Sequence, residues 1–163
     1  MKSKVILCLA ILLSTFTILT GTVLAKPIIK ADKTYYDVNT GLYILSGNVY
    51  VGVGDRVITA GQAKVSLGSM EVWGSNGITL SQGDIYLKAD SVYVVGNQNK
   101  AVIEGNVTFA RSNLTVVADK AEFDWKTKLG VFSGNVQVAQ AEKSWQGASA
   151  TYNAVTGELT TGS

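Results

Sequence analysis

Asp119, Glu122 and Asp124 form the densest group of acids in the chain, and they are the natural place to look for acid–base chemistry. Two carboxylates can cleave a glycosidic bond when both face one cleft and their environments hold them in different protonation states. Here Ala121 and Phe123 alternate with the last two acids, which puts the carboxylates on the solvent side of a strand and argues against catalysis. The chain has no histidine, and its one cysteine is Cys8. The common nucleophile–base pairs and imidazole or thiolate metal sites therefore have nothing to be built from. The Gly-Asp turns in VGVGDRV (51–57) and SQGDIYL (81–87) are faintly similar to those of calcium-binding β-rolls, yet the nonapeptide spacing is missing. NVT (106–108) and NLT (113–115) match glycosylation sequons by coincidence of strand composition. The expectation is a protein that is not an enzyme and has no cofactor and no metal.

The chemistry of the first 25 residues concerns export. Lys2 and Lys4 precede an uncharged run to Leu24, with Val23 and Ala25 at the −3 and −1 positions of a cleavage site. A cleaved signal peptide (1–25) is expected in preference to a retained membrane anchor, because Ser14, Thr15, Thr17, Thr20, Gly21 and Thr22 interrupt the run. Leu7 before Cys8 does not fit a lipid-attachment signal. Removing Lys2 and Lys4 with the signal leaves residues 26–163 with balanced charge and no cysteine. Such a chain has no disulfide to hold it and no basic footprint for nucleic acid.

A period of 29 residues organises what remains. Ala31, Ala60, Ala89 and Ala118 share one column, Gly47, Asn76, Gly105 and Gly134 a second, and Val49, Ile78, Val107 and Val136 a third. The units are 31–59, 60–88, 89–117, 118–146 and a partial 147–163. After the glycine column, apolar and polar residues alternate (Val49, Val51 against Asn48, Tyr50), as in strands with one buried face. A second alternating run in each unit changes phase after its small residue, since Ala63, Val92, Ala121 and Ala150 follow by three residues and not two. That shift marks a bulge or corner. Turn signals lie between the runs. The pattern predicts an all-β fold: consecutive antiparallel strands whose corners fold the meander into two facing sheets. Gly47, Gly105 and Gly134 should turn the corner. Asn48, Asn106 and Asn135 are expected to bond nearby backbone or one another, and the charges of Ala-Asp-Lys to solubilise the outer face.

Tandem units of this form, with GNV at 47–49, 105–107 and 134–136 and ADK at 31–33 and 118–120, resemble the OstA-like (LptA) family over about residues 28–160. The second unit departs from the pattern, with SNGITL and AGQA in those places. The resemblance implies a β-jellyroll, a V-shaped two-sheet sandwich whose interior takes up lipid acyl chains. It also implies a periplasmic lipopolysaccharide carrier whose sheet edges pair with inner-membrane and outer-membrane components, or head to tail with further copies. An LptC-like component anchored in the inner membrane and a structural β-repeat scaffold without cargo are the alternatives. From the residues alone the apolar stripe reads as a closed core before an open groove. Under the resemblance it becomes a lipid groove lined by Val49, Val51, Ile58, Ile78, Leu80, Leu87, Ile103, Val107, Phe109, Val116, Phe123, Phe132, Val136 and Val138, with Trp145 near the C-terminal mouth. Arg56, Lys88, Arg111 and Lys143 lie near one set of turns, but balanced charge gives no strong anion funnel.

Overall fold

The computed structural model describes residues 28–162, so the predicted signal peptide (1–25) lies outside the described residues. Alternating sequence becomes twelve strands among these residues: β1 (Ile28–Lys30), β2 (Lys33–Asp37), β3 (Leu42–Val53), β4 (Arg56–Ser66), β5 (Glu71–Gln82), β6 (Ile85–Ala89), β7 (Ser91–Val95), β8 (Lys100–Arg111), β9 (Leu114–Asp124), β10 (Leu129–Gln140), β11 (Lys143–Asn153) and β12 (Leu159–Gly162). Every pairing is antiparallel, and the strand order follows the chain except where two short strands share one side of a longer one. β1 and β2 lie end to end along β3, and β6 and β7 do the same between β5 and β8. This is an antiparallel β-jellyroll of consecutive strands.

The facing layers are two halves of one hydrogen-bonded sheet, bent across its middle. Along the bend the register shifts between Ser46 and Val49, Ala60 and Gln62, Glu104 and Val107, and Ser133 and Val136. Gly47, Gly105 and Gly134 stand at φ 76, 80 and 75°, and Asn48, Asn106 and Asn135 at φ 46, 49 and 46°. Two successive left-handed residues are open to Gly and Asn and strained for most others, and the extra residue bends the strand.

Packing demands the same glycines. A Cβ on Gly47, Gly105 or Gly134 would lie 2.3, 2.3 or 2.6 Å from Oδ2 of Asp32, Asp90 or Asp119. Each of these aspartates then accepts a hydrogen bond from Nδ2 of the following asparagine: Asn48 to Asp32 at 3.0 Å, Asn106 to Asp90 at 2.8 Å, and Asn135 to Asp119 at 2.7 Å. Two expectations are corrected here. The asparagines bond neither backbone nor each other, and the aspartates of the small-Asp motif brace the bend as well as solubilising the surface. The partners are 16 residues apart, so strand register and not local sequence brings them together. The departing second unit inverts the arrangement: Gly61 replaces the aspartate, Asn76-Gly77 replaces Gly-Asn, and a Cβ on Gly61 would fall 2.6 Å from that of Asn76.

Inward-facing side chains form two clusters. Leu45, Val49, Val51, Ala63 and Val65 make the N-terminal one, and a larger cluster runs from Ile78 to Ala154. The halves meet where Phe109, beyond the bend on β8, packs against Phe132 and Tyr152 of the opposite half, with ring centroids 5.7 and 5.1 Å apart. Arg111 Nη1 clasps the same side by donating to the Tyr152 hydroxyl at 2.7 Å and the Ala154 carbonyl at 3.1 Å. A charged donor makes these bonds worth about 1.5–3 kcal/mol each, so the C-terminal part of the sandwich is held shut.

Candidate functional site

A cavity of about 160 Å³ lies between the half-sheets. That is comparable to engineered apolar cavities of about 150 Å³, which stay dry and admit a benzene-sized molecule. β4 to β6 contribute Ile58, Ile78, Leu80 and Leu87, β8 contributes Ile103 and Phe109, and β9 and β10 contribute Phe123 and Phe132. Their alternation along twisted strands aims them inward, and the bend keeps the facing sets apart.

The other expected lining residues lie elsewhere. Val107, Val116, Val136 and Val138 are buried within the larger cluster, and half-buried Trp145 packs against it with its ring over Gly147. Val49 and Val51 belong to the N-terminal cluster. Packed and lining residues are thus not divided by distance from the bend, since Ile78 lines the cavity whereas Val107 and Val136 of the same column are packed. Val94, Ala101 and Tyr152 line the cavity but were not among the expected residues, and neither were Val92 and Ala121. The phase shift had already turned the last two inward, which was the available signal for them. Gly130 also faces the cavity, where an added Cβ would find only ordinary van der Waals contacts, the nearest at 3.5 Å.

One cation stands at the rim of this apolar space. Arg56 is buried and lines the cavity, and its Nε and Nη2 donate to Gln82 Oε1 at 3.0 and 2.8 Å. Gln82 in turn donates to Asp55 at 3.3 Å. Burial lowers the Arg56 pKa, with the nearby Asp55 charge opposing that effect. Arg111 is committed to the clasp, and Lys88 and Lys143 are exposed, so the four basic residues do not converge.

The acids have structural partners. Glu122 pairs with Lys120 at 2.7 Å, Asp124 accepts the backbone N–H groups of Lys126 and Thr127 at 2.9 and 3.0 Å, and Asp119 braces the bend. Several surface carboxyls sit below their ordinary pKa: Asp37 through Thr40, Glu71 through Ser69 and Tyr93, Asp84 through Ser112, Glu122 through Lys120, and Asp124 chiefly through the Thr127 N–H. A lowered folded-state pKa means that the unfolded chain binds more protons in mild acid. The stability these groups confer is complete above the unfolded carboxyl range, near 4, begins to be lost as pH enters that range, and is gone once pH has fallen through their lowered folded-state values. Circular-dichroism melts should show a steady midpoint from pH 7 to about 5 and a falling one below. A midpoint that rises on acidification would contradict this.

A single antiparallel sheet bent over an apolar interior, with unpaired edges at both ends of the described strand order, defines the class of open-edged β-jellyrolls. The crystal structure of LptH, the LptA-homologous periplasmic component of the lipopolysaccharide transport device of Pseudomonas aeruginosa, is similar to this chain with a TM-score of 0.53. The match covers 62% of this chain and 77% of LptH at 16% sequence identity, so the likeness is one of LptA-like fold. No protein-family model matches the sequence, and no curated protein does.

Proposed function

We propose that this chain is a non-enzymatic periplasmic carrier of lipopolysaccharide or a related lipid, holding acyl chain between its half-sheets. The observation that carries this reading is the apolar cavity between them. An acyl chain matches it, since each buried methylene contributes about 0.8 kcal/mol. The LptH fold supports the same reading. The present volume takes part of an acyl chain, and a longer stretch requires the half-sheets to part on the side away from the Arg111 clasp.

The edges suit assembly. β1 and β2 are short edge strands, and β12 covers only Ser149–Tyr152 of β11, leaving Lys143–Gly147 without an outer partner among the described residues. Unpaired N–H and C=O groups there would accept a strand from an inner- or outer-membrane component, or from another copy. Cleavage after Ala25, with residues 26–163 as the exported domain of 29-residue units, belongs to the same proposal.

Photocrosslinking tests the carrier role. A photoreactive amino acid in place of Phe123 in the cavity should give a lipid adduct in cells, identified by mass spectrometry, and one in place of exposed Val131 should give none. Adducts at neither position, with no lipid co-purifying, would leave the structural scaffold as the better reading.

A further inference from the structure

The outer face of the sheet carries a second groove, of about 500 Å³, that a lipid carrier has no use for. Trp73 on β5 and Tyr93 on β7 are cross-strand partners there, with ring centroids 5.3 Å apart and planes 16° apart. They point away from the cavity, because the adjacent Gly74 and Val92 occupy the inward positions. The Tyr93 hydroxyl bonds to the Glu71 carboxylate, which fixes the orientation of the aromatic pair. Gln62 and Lys64 flank it from β4, Ser75 from β5, and Glu104 from β8. The side chains of Gln62 and Ser75 make no hydrogen bond among the described residues, and both are half-buried.

These groups discriminate among ligand types. An apolar ligand would strip water from the Gln62 amide and the Ser75 hydroxyl without replacing its hydrogen bonds. A simple anion would meet Glu104, and a simple cation would meet Lys64. A neutral pyranose with equatorial hydroxyls meets neither objection. Its C–H faces are weakly positive and suit the negative face of an aromatic ring, and its hydroxyls both donate and accept. An oriented aromatic pair also loses little freedom when a ligand stacks on it. We infer that the Trp73–Tyr93 groove is a saccharide-binding site for gluco-configured pyranosides, separate from the interior cavity.

Calorimetric titration of the purified protein with chitotriose and with cellotriose tests this, with ¹H–¹⁵N spectra locating any shifts. Saturable binding of at least one trisaccharide is expected, with shifts confined to the groove residues of β4, β5, β7 and β8. Trp73→Ala should weaken it by about tenfold, the size of one lost aromatic stacking contact, and Trp73→Phe should retain part of it. Trp73→Ala should leave uptake of a fluorescent dodecanoic acid unchanged, so failure of the sugar site and failure of the lipid reading are told apart. Absence of saturable binding by both sugars up to about 10 mM, weaker than any specific site of use, would overturn the inference. So would a folded Trp73→Ala protein that binds as well as the parent.

Discussion

Gly105→Asn is expected to destabilise the protein by about 2–4 kcal/mol, and adding Asp90→Gly to recover at least half of that loss. The logic rests on separating backbone strain from collision. Asparagine accepts left-handed backbone, as Asn76 does at φ 62° in the corresponding place, so the φ of 80° at Gly105 is not the main cost. The collision is, because a new Cβ would stand 2.3 Å from Asp90 Oδ2 and 2.8 Å from Asp90 Cβ. Removing the Asp90 side chain sets the new asparagine against a glycine, as Asn76 is set against Gly61, with Asn106 remaining where that unit has Gly77. Asp90→Gly alone loses the bond from Asn106 and should cost about 1 kcal/mol. Urea denaturation of the four proteins gives the coupling energy. A value of at least about 2–3 kcal/mol in the compensating direction is expected, and strictly additive losses would disprove the brace.

Gly130→Leu should leave the fold intact and remove lipid binding. An added Cβ meets Phe123 at 3.5 Å and Phe132 and the Tyr152 carbonyl at 3.9 Å, which is ordinary contact, and the branched end extends into the cavity. Filling an apolar void with apolar atoms raises or preserves stability, so a melt at or above the parent's is the first check. The leucine side chain displaces roughly four methylene equivalents of acyl chain, about 3 kcal/mol or over a hundredfold in affinity. Titration with a fluorescent dodecanoic acid should read that loss directly. Undiminished binding by a folded Gly130→Leu protein would mean that acyl chains bind elsewhere.

Reading by alternation succeeds wherever burial depends on strand parity. Ile78, Val107, Phe109 and Val136 are inward, and the phase shift that turns Ala63 and Ala121 inward is found at the bend. Alternation cannot tell a lining residue from a packed one. Val136 and Phe132 both face inward on β10, but only Phe132 reaches the cavity. Charged residues were harder still. Arg56 occupies a column that holds Ile85 and Leu114 in later units, and nothing local distinguishes a buried arginine from an exposed one before Gln82 is brought beside it.

The sequence by itself determined the strands, their order, the 29-residue spacing and the places where each strand must bend, because side-chain parity and left-handed backbone are properties of neighbouring residues. Only the tertiary structure decided that Asp90 braces Gly105 and Asn106, that Arg111 closes one end, and that a cavity is left between the halves. Those outcomes depend on distances between residues far apart in the chain, set by the angle of the bend and the sizes of side chains that meet, or fail to meet, across it.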